Sequence, residues 1–495
     1  MKTRITFLFL TLITFSLQVS AVELVDTSGP TTGSTVRIIA ESGDDFGVTI
    51  GTVLFNGVSA PVSYWSADSI VISAPSGTGT NIQVQVIAAT TYTCSNTFSY
   101  LAPNVQGISP INGPTSGGYF ATISGENFGN QIANVSVKIG NNTATVNSVT
   151  HGSISCIVPA GAGVNQSVTV TVSGQLNTGN VVFNYDPPVI LTFNPESSDT
   201  FGGGTLVISG TNFGNNASLI AVTIDGNAAS SVTLKSSNDT LECIIPPGTG
   251  TNKALIVSVA SQSSLSETFS YNPPTIGGLD YTNASTSGGD TLTINGTNFG
   301  NYPSRVLITV GGKMAPLVSG SLTYTSLKCI IPAGNGLNQL VSLTVDGQNI
   351  SYGGVSYDDP VIASVDPVCI GTGDVVIISG ENFGPPGSGA AVTISGIPAT
   401  VSTATHTSLQ VTVPEGQDGN ASNLPIQVSL GTQSSNVFQA AHCINLPAVY
   451  PKMEADALFV KSPDYGVIMK SPDGKCWRLR VDNNGQLTTS RADCP

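Results

Sequence analysis

The sequence predicts an all-β chain, in which small antiparallel β-sandwiches follow one another and a small β-meander ends the array. The main observation is a six-residue motif, Ser124-Gly-Glu-Asn-Phe-Gly129 in its first copy. It occurs four times, with its Phe at positions 128, 213, 299 and 383, a spacing of 84 to 86 residues. Such a period marks a repeat protein, and each period is long enough to hold a core of its own. A second observation is the alternation of apolar and polar residues over short runs between turn-forming clusters.

Each copy shows the same internal order. A Pro/Ser/Gly-rich segment, such as residues 107–118, precedes the motif strand, and alternating segments such as 135–139 follow it. A strand that ends in Cys-x-x-Pro comes next, as in 154–159, and a Gly-rich turn leads to the closing strand 181–185. About seven short strands per copy are typical of an antiparallel sandwich.

The motif Asn-Phe-Gly predicts a tight corner. Glycine adopts positive φ without strain, and asparagine tolerates such a corner. We expect the Phe to enter the core and to bury about 2 kcal/mol of apolar surface. The Tyr that ends each closing strand is predicted to pack in the same way. These tyrosines are Tyr100, Tyr185, Tyr271 and Tyr357.

The repeats are joined by short Pro-containing segments, which restrict the backbone and predict an elongated array. We assign a signal peptide to 1–21, a divergent repeat to 22–101, repeats to 104–186, 189–272, 275–357 and 361–440, and a small basic β module to 441–495.

These motifs resemble the IPT/TIG family of immunoglobulin-like (E-set) domains. That family opens with a Pro- and Gly-rich segment, continues with a Gly-x-Asn-Phe turn and has a late Cys-x-x-Pro strand. The resemblance covers roughly 104–440 and is weaker over 22–101, where Asp44-Asp-Phe-Gly47 replaces the motif. The rhythm is also similar to that of social-amoeba surface adhesion proteins and of some secreted bacterial arrays. The resemblance implies the fold, but the fold alone does not choose among receptor ectodomains, adhesion proteins, enzyme accessory modules and transcription-factor dimerisation domains.

The N-terminus has the pattern of a secretory signal. Lys2 and Arg4 precede an apolar run from 5 to 17, and small residues lead up to Ala21. The run is too short to span a bilayer, which takes about 20 residues. We therefore expect secretion, no transmembrane segment, and a chain that is released or peripherally held at a cell surface.

Charge excludes a nucleic-acid partner. The chain carries 16 basic and 30 acidic residues, whereas binding to phosphates requires clustered Lys and Arg. Only seven basic residues lie between 22 and 451, about one per repeat. They are Arg37, Lys138, Lys235, Lys253, Arg305, Lys313 and Lys328.

Eight cysteines in a secreted chain suggest disulfides. Cys156, Cys243 and Cys329 instead occupy equivalent inward positions in separate repeats, and we expect them to be buried free thiols. Cys94 has no obvious partner. We predict one disulfide between Cys476 and Cys494 and another between Cys369 and Cys443.

The last segment differs from the repeats, because it holds seven basic residues between 452 and 491. Its turn sequences predict a three-stranded meander. Trp477, Arg478 and Arg480 form a candidate binding strand for an anionic or sugar-rich surface, with a plain solvated face as the alternative. Residues 482–484 are more simply a turn than a calcium site.

Enzyme signatures are missing, and we expect no catalytic residues, no metal and no cofactor. His151 and His406 occupy the same loop position in different repeats and are interpreted as loop residues without chemistry. Nine sequons offer N-glycosylation, about the number that chance gives in this composition. They begin at Asn134, Asn141, Asn165, Asn216, Asn238, Asn283, Asn295, Asn349 and Asn420.

The sequence thus favours an extracellular adhesion or recognition protein that binds other proteins, itself included, or glycans. A structural stalk or matrix protein attached through 441–495 is one alternative, and a carbohydrate-binding accessory protein is another. An exposed aromatic row would favour the last, but only 6% of the residues are aromatic.

Overall fold

The computed structural model describes residues 22–41, 43–236, 239–417 and 423–443, and residues 460–462, 466–470, 474–481 and 487–492 of the C-terminal segment. The elements of this part of the chain are strands and three one-turn 3-10 helices, which confirms the all-β prediction. None of its helices is long and apolar enough to cross a membrane. Two compact units are present: one contains the first three repeats and most of the fourth, and the other contains the remaining segments of the fourth, the fifth repeat and the C-terminal module.

The first repeat is a sandwich of two four-stranded sheets. Their orders are β1-β3-β7-β6 and β5-β4-β8-β9, and β2 pairs with β10 in parallel. Strands β1 to β10 are Val22–Leu24, Ser28–Gly29, Thr35–Ala40, Thr52–Phe55, Val58–Ala60, Val62–Trp65, Ser69–Ser73, Val84–Ile87, Thr91–Thr93 and Ser99–Tyr100.

The second repeat follows the same plan, with one long strand, β15, shared by both sheets. The order is β11-β13-β16-β15-β14-β17-β19-β12. A 3-10 helix covers Ile132–Asn134. Strands β11 to β19 are Asn104–Ser109, Asn112–Gly113, Phe120–Glu126, Val135–Ile139, Asn142–Thr150, Ser153–Ile157, Gln166–Val172, Gln175–Leu176 and Val182–Tyr185.

In the third repeat the shared strand is broken in two, so the sheets separate into β20-β22-β26-β25 and β21-β29-β27-β23-β24. Its 3-10 helix is Ala217–Leu219. Strands β20 to β29 are Val189–Asn194, Ser197–Ser198, Thr205–Thr211, Ile220–Ile224, Asn227–Ala228, Ser230–Ser236, Thr240–Ile244, Lys253–Val259, Gln262–Ser263 and Glu267–Tyr271.

The fourth repeat has a three-stranded sheet, β30-β31-β34, and a four-stranded sheet, β33-β32-β35-β36. An irregular segment covers the edge of β34, where the N–H of Ile330 bonds to the carbonyl of Pro316 at 2.9 Å. Proline cannot donate to a ladder, which explains why no regular strand forms here. Its 3-10 helix is Pro303–Arg305. Strands β30 to β36 are Thr275–Asp280, Thr291–Thr297, Val306–Val310, Lys313–Met314, Ser326–Ile330, Gln339–Val345 and Gln348–Val355.

The fifth repeat returns to the single path of the second, β37-β39-β42-β41-β40-β43-β45-β38. A disulfide joins Cys369 to Cys443, beside the parallel pairing of β38 with β45. This bond ties the early part of the repeat to its end. Strands β37 to β45 are Val361–Asp366, Cys369–Ile370, Val375–Glu381, Ala391–Ile394, Ile397–Ala404, Ser408–Thr412, Asn423–Leu430, Gln433–Ser434 and Phe438–His442.

The C-terminal module is a four-stranded meander, so the prediction of three strands was wrong. Strands β46 to β49 are Val460–Ser462, Gly466–Lys470, Cys476–Val481 and Leu487–Ala492. The additional strand pairs Lys461 with Val467. The sequence Lys-Ser-Pro-Asp occurs twice, at 461–464 and 470–473, and each copy begins in a strand that pairs antiparallel with the next one, β46 with β47 and β47 with β48.

The cores follow the alternation of the strands. In β16, Ile154 and Cys156 are buried while Ser155 between them is partly exposed, because successive side chains point to opposite faces. Free buried thiols lie at Cys156, Cys243 and Cys329, as predicted, and also at Cys94. Burial raises the pKa of Cys156 to about 11, so this thiol stays protonated at neutral pH.

Candidate functional site

The Asn-Phe-Gly motif places its Phe in the core, as the sequence predicted. The four rings are 0% exposed. The motif Asn has φ between 60° and 63° in every copy. The glycine two residues before the Asn is also required, because a Cβ on Gly125 would collide with the carbonyl of Asn104 and with the ring of Phe128. The motif is therefore a tight corner folded over its own Phe.

The motif Asn has a second role that sequence reasoning missed. Its side chain reaches the preceding repeat, across what we call a joint, numbered one to four along the chain. There its carbonyl oxygen accepts a hydrogen bond from the backbone N–H of a buried Thr. The four bonds are Thr31 to Asn127 at 3.3 Å, Thr115 to Asn212 at 3.3 Å, Thr200 to Asn298 at 3.2 Å and Thr286 to Asn382 at 3.1 Å.

A glutamine makes the second constant contact at every joint. It begins the strand that follows the long strand of the later repeat. Its amide donates to the carbonyl of the Tyr that ends the earlier repeat. The bonds are Gln175 to Tyr100 at 2.8 Å, Gln262 to Tyr185 at 2.9 Å, Gln348 to Tyr271 at 3.0 Å and Gln433 to Tyr357 at 2.6 Å.

The tyrosines are packing residues, as the sequence predicted. The hydroxyl of Tyr185 donates to the carbonyl of Pro159, the proline that ends the Cys-x-x-Pro strand, at 2.8 Å. Its ring lies against Gly161, where any Cβ would collide with it. Burial, with a smaller contribution from Tyr119, raises the pKa of Tyr185 to about 12. The Tyr thus fixes the end of each sandwich and presents its carbonyl to the next repeat.

The two loop histidines contact the preceding repeat, so the interpretation of them as loop residues without chemistry was incomplete. The hydroxyl of Thr31 lies 2.8 Å from Nδ1 of His151 at the first joint. Thr286 and His406 repeat this contact at 3.1 Å at the fourth joint. At the third joint the position holds Tyr324, whose ring packs edge-on against Phe201 at 5.0 Å. These side chains are thus used in holding repeats together.

Charge is concentrated at the third joint, which the scattered sequence positions did not reveal. Asp346 lies 2.8 Å from Nζ of Lys253 and 3.0 Å from a guanidinium nitrogen of Arg305. Asp225 completes the cluster, 3.4 Å from Arg305 and 3.7 Å from Lys253. Two of the seven basic residues in the repeats are therefore committed to one joint.

The electrostatics of Asp346 follow from these neighbours. Burial alone would raise the pKa of its carboxyl. Hydrogen bonds from Lys253 and Thr249, together with the charges of Lys253 and Arg305, outweigh burial and hold the pKa below its usual value. The carboxylate is thus ionised, and stabilises the joint, throughout the physiological pH range.

The candidate binding strand of the C-terminal module is described in part. Trp477 lies on β48 opposite Met469 and Arg491 and is 38% exposed. Cys476 is buried and disulfide-bonded. The side chains of Arg478 and Arg480, the predicted partner Cys494 and the turn 482–484 lie outside the described residues.

The sequons that the structure describes are accessible. Their asparagines are exposed at positions 134, 141, 165, 216, 283, 295 and 349, and those at 238 and 420 lie outside the described residues. Asn134 differs from the others because its amide donates to the Thr78 hydroxyl across the first joint, at 3.0 Å. A glycan there would remove that contact.

The chain is similar in sequence to curated proteins. Human Fibrocystin-L is 31% identical over 301 residues, which are 58% of this chain and 7% of that protein. The chain thus spans less than a tenth of the length of the curated relatives it matches.

Among solved structures, the plexin A4 extracellular region aligns with 84% of this chain and 43% of its own, at 15% identity and a TM-score of 0.19. The surface glycan-binding protein PbSGBP-B from Prevotella bryantii aligns with 86% of this chain and 98% of its own, at 15% identity and a TM-score of 0.26. The IPT/TIG domain matches residues 103–185, 188–271, 274–358 and 360–440, which confirms the four predicted repeats. The chain therefore belongs to the IPT/TIG domain family.

Proposed function

We propose that the chain is a secreted adhesion or recognition protein that binds other extracellular proteins through the surfaces of its IPT/TIG repeats, without catalysis. The observation that carries this proposal is the construction of the joints. The same two amide contacts, one from an Asn and one from a Gln of the later repeat, recur at all four joints. Adjacent repeats are thereby coupled, and their outer faces can act together on a partner.

Several sequence features support an extracellular role. The pattern of residues 1–21 is that of a secretory signal, and the low share of charged residues, 9%, suits a solvated β surface. The partners that this surface fits are other proteins or a second copy of the chain. The predicted likeness to social-amoeba surface adhesion proteins stays a prediction.

A second candidate function is a structural stalk that attaches through the C-terminal module. The exposed indole of Trp477, within a segment that holds seven basic residues, favours it. An aromatic ring beside cationic side chains suits an anionic or sugar-rich surface.

Binding to the producing cells separates the two candidates. The mature chain is compared with a chain that ends at Cys443, which keeps the disulfide to Cys369 and the fifth repeat. A third protein carries Trp477→Ala, Arg478→Ala and Arg480→Ala. We expect the truncated chain to bind as the mature chain does. Loss of binding in both altered proteins, with salt-sensitive binding of the mature chain, would instead establish the stalk.

A further inference from the structure

The joints also contain a variable contact, formed by three equivalent positions. One lies in the Gly-x-Gly turn of the earlier repeat, one ends the 3-10 helix of the later repeat, and one begins the turn after its long strand. At the first joint these are Thr78, Asn134 and Ser173. Thr78 bonds to Ser173 at 2.8 Å and to Asn134 at 3.0 Å. We call this set of side chains the joint triad.

The third joint has a charged version of the joint triad. Thr249 donates to Asp346 at 3.0 Å, and Arg305 contacts Thr249 at 3.1 Å and Asp346 at 3.0 Å. The equivalence rests on the backbone as well as on sequence. At the third joint the N–H of Asp346 donates to the carbonyl of Arg305 at 2.8 Å. At the first joint the N–H of Ser173 donates to the carbonyl of Asn134, also at 2.8 Å.

The second joint has the same backbone but no polar triad. Its three positions are Ala162, Leu219 and Ala260, and the N–H of Ala260 bonds to the carbonyl of Leu219 at 2.9 Å. None of these three side chains carries a polar group, so the hydrogen-bonded triad of the first and third joints has no counterpart here. A cavity of about 280 Å³ lies at this joint, and Ala162 and Leu219 are among the residues that line it.

Side-chain amides dominate the wall of this cavity. Some of their groups are already used, because Asn142 donates to the carbonyl of Ala160 and Gln166 to that of Val164. The side-chain carbonyl oxygens of both residues are left to accept further bonds. The amide-bearing lining residues are Asn141, Asn142, Gln166, Asn215 and Asn216.

The remaining wall is apolar, with Leu219, Val259 and Ala162, and none of the described residues that line the cavity is charged. Amides can donate to and accept from hydroxyl groups, while aliphatic side chains cover a C–H face. The volume lies just below the range of about 300 to 1,000 Å³ that drug-sized ligands occupy. We propose that this cavity binds one neutral sugar residue, a site independent of the protein-binding function proposed above.

Two sources can supply such a sugar. It can belong to a free oligosaccharide, or to an N-glycan of the chain itself, because Asn141 and Asn216 both begin sequons and both line the cavity. At Asn216 the side-chain oxygen accepts bonds from the backbone and the hydroxyl of Ser218, at 3.1 and 2.8 Å, so the amide nitrogen that would carry the glycan is left available.

The first arm of the test uses the full mature chain made without N-glycosylation. Methyl N-acetylglucosaminide and methyl glucoside are the probes, and saturation-transfer NMR measures their binding. The blocking variant enlarges two side chains that line the cavity: Ala162→Thr and Leu219→Trp. Thr already occupies the position of Ala162 at the first and third joints, as Thr78 and Thr249. Both new side chains take up space in the cavity, and we expect them to weaken binding by at least about tenfold. Leu265→Asn, at a side chain that is 89% exposed, is the matched control and leaves binding unchanged.

The second arm uses the chain from a glycosylating host. Release of N-glycans by an amidase is followed at Asn216, at Asn141 and at the exposed sequon Asn349. If glycan release is slow at Asn141 or Asn216 in the unaltered chain, and becomes as fast as at Asn349 in the blocking variant, the occupant is the chain's own glycan. Binding of a free glycoside that the blocking variant abolishes identifies an external sugar. Absence of both results overturns the proposal.

Discussion

Replacement of Gln433 by Met should loosen the fourth joint. Gln433 is 3% exposed, and its amide makes three contacts across the joint. It donates to the carbonyl of Tyr357 at 2.6 Å and to the carboxylate of Asp359 at 2.9 Å, and it accepts from the N–H of Gly336 at 3.0 Å. Methionine keeps the length and volume of the side chain but removes all three. At about 1 kcal/mol for each bond, joint opening becomes easier by about 3 kcal/mol.

Hydrogen exchange on the full chain measures this opening. The amides of Thr286 and Gly384 report on the joint, because their acceptors lie across it on Asn382 and Thr286 respectively. A change of about 3 kcal/mol speeds their exchange roughly 100-fold, since each 1.4 kcal/mol is a factor of ten. Gln427→Met is the control, because that amide bonds within its own repeat, to the carbonyl of Ser435. Exchange within twofold of the unaltered chain would refute the assignment of Gln433 as a joint residue.

Three further predictions follow. Thr286→Val should destabilise the fourth joint by about 1 to 3 kcal/mol, because it removes the hydroxyl contacts to His406 and Gly384. Thr200→Val should be neutral or stabilising, because the buried Thr200 hydroxyl has no partner among the described residues. Chemical denaturation measures the stability of both variants, and equal losses of stability would contradict this prediction. The third joint should loosen in acid, because Asp346 has a lowered pKa: its contribution is fully present above the ordinary value of 3.8 and is lost as pH falls through the folded value. Exchange at this joint that is independent of pH between 5 and 2, after correction for intrinsic rates, would exclude that role. The four buried free thiols, at positions 94, 156, 243 and 329, should resist alkylation at pH 8 in the native chain and react once it is unfolded, since burial raises their pKa values. Mass spectrometry counts the labelled cysteines, and labelling of the native chain would show that the thiols are accessible.

The fold was predictable because its signals are local and periodic. The recurrence of Phe at 128, 213, 299 and 383 marks the repeats, and the position of Cys156 between apolar neighbours marks an inward-facing strand residue. Alternation in a strand depends only on residues two apart, so a single sequence reveals it. Pro316, which prevents a regular edge strand in the fourth repeat, acts through its missing N–H, and this too is a local property of the sequence.

The joints were not predicted, because their contacts connect residues far apart in sequence. Asn127 accepts a hydrogen bond from the backbone of Thr31, which is 96 residues away. The recurrence of this Asn was already explained by the tight corner that it forms, so it gave no sign of a contact with another repeat. The glutamines left a signal, however. They recur at 175, 262, 348 and 433, with spacings of 85 to 87 residues, and the same periodicity that revealed the Phe would have revealed them.

The charged cluster of the third joint left no periodic signal, because Lys253 and Arg305 lie in different repeats and have no counterparts in the others. Their pairing with Asp346 becomes visible only when the fold brings the long strand of one repeat beside the 3-10 helix of the next. The cavity of the second joint is similar, since its lining residues Ala162 and Leu219 are unremarkable until they are compared with Thr78 and Asn134 in the first joint.

Recognition by coupled repeats is the central claim, and one measurement tests it most directly. The glutamines of all four joints are replaced by Met, at positions 175, 262, 348 and 433, and binding to the producing cells is compared with that of the unaltered chain. Circular dichroism verifies that the sandwiches stay folded, as their separate cores predict. Coupled repeats predict that binding falls at least about tenfold while folding is retained. Unchanged binding of this variant, with complete loss in the chain that ends at Cys443, would contradict the account and assign attachment to the C-terminal module.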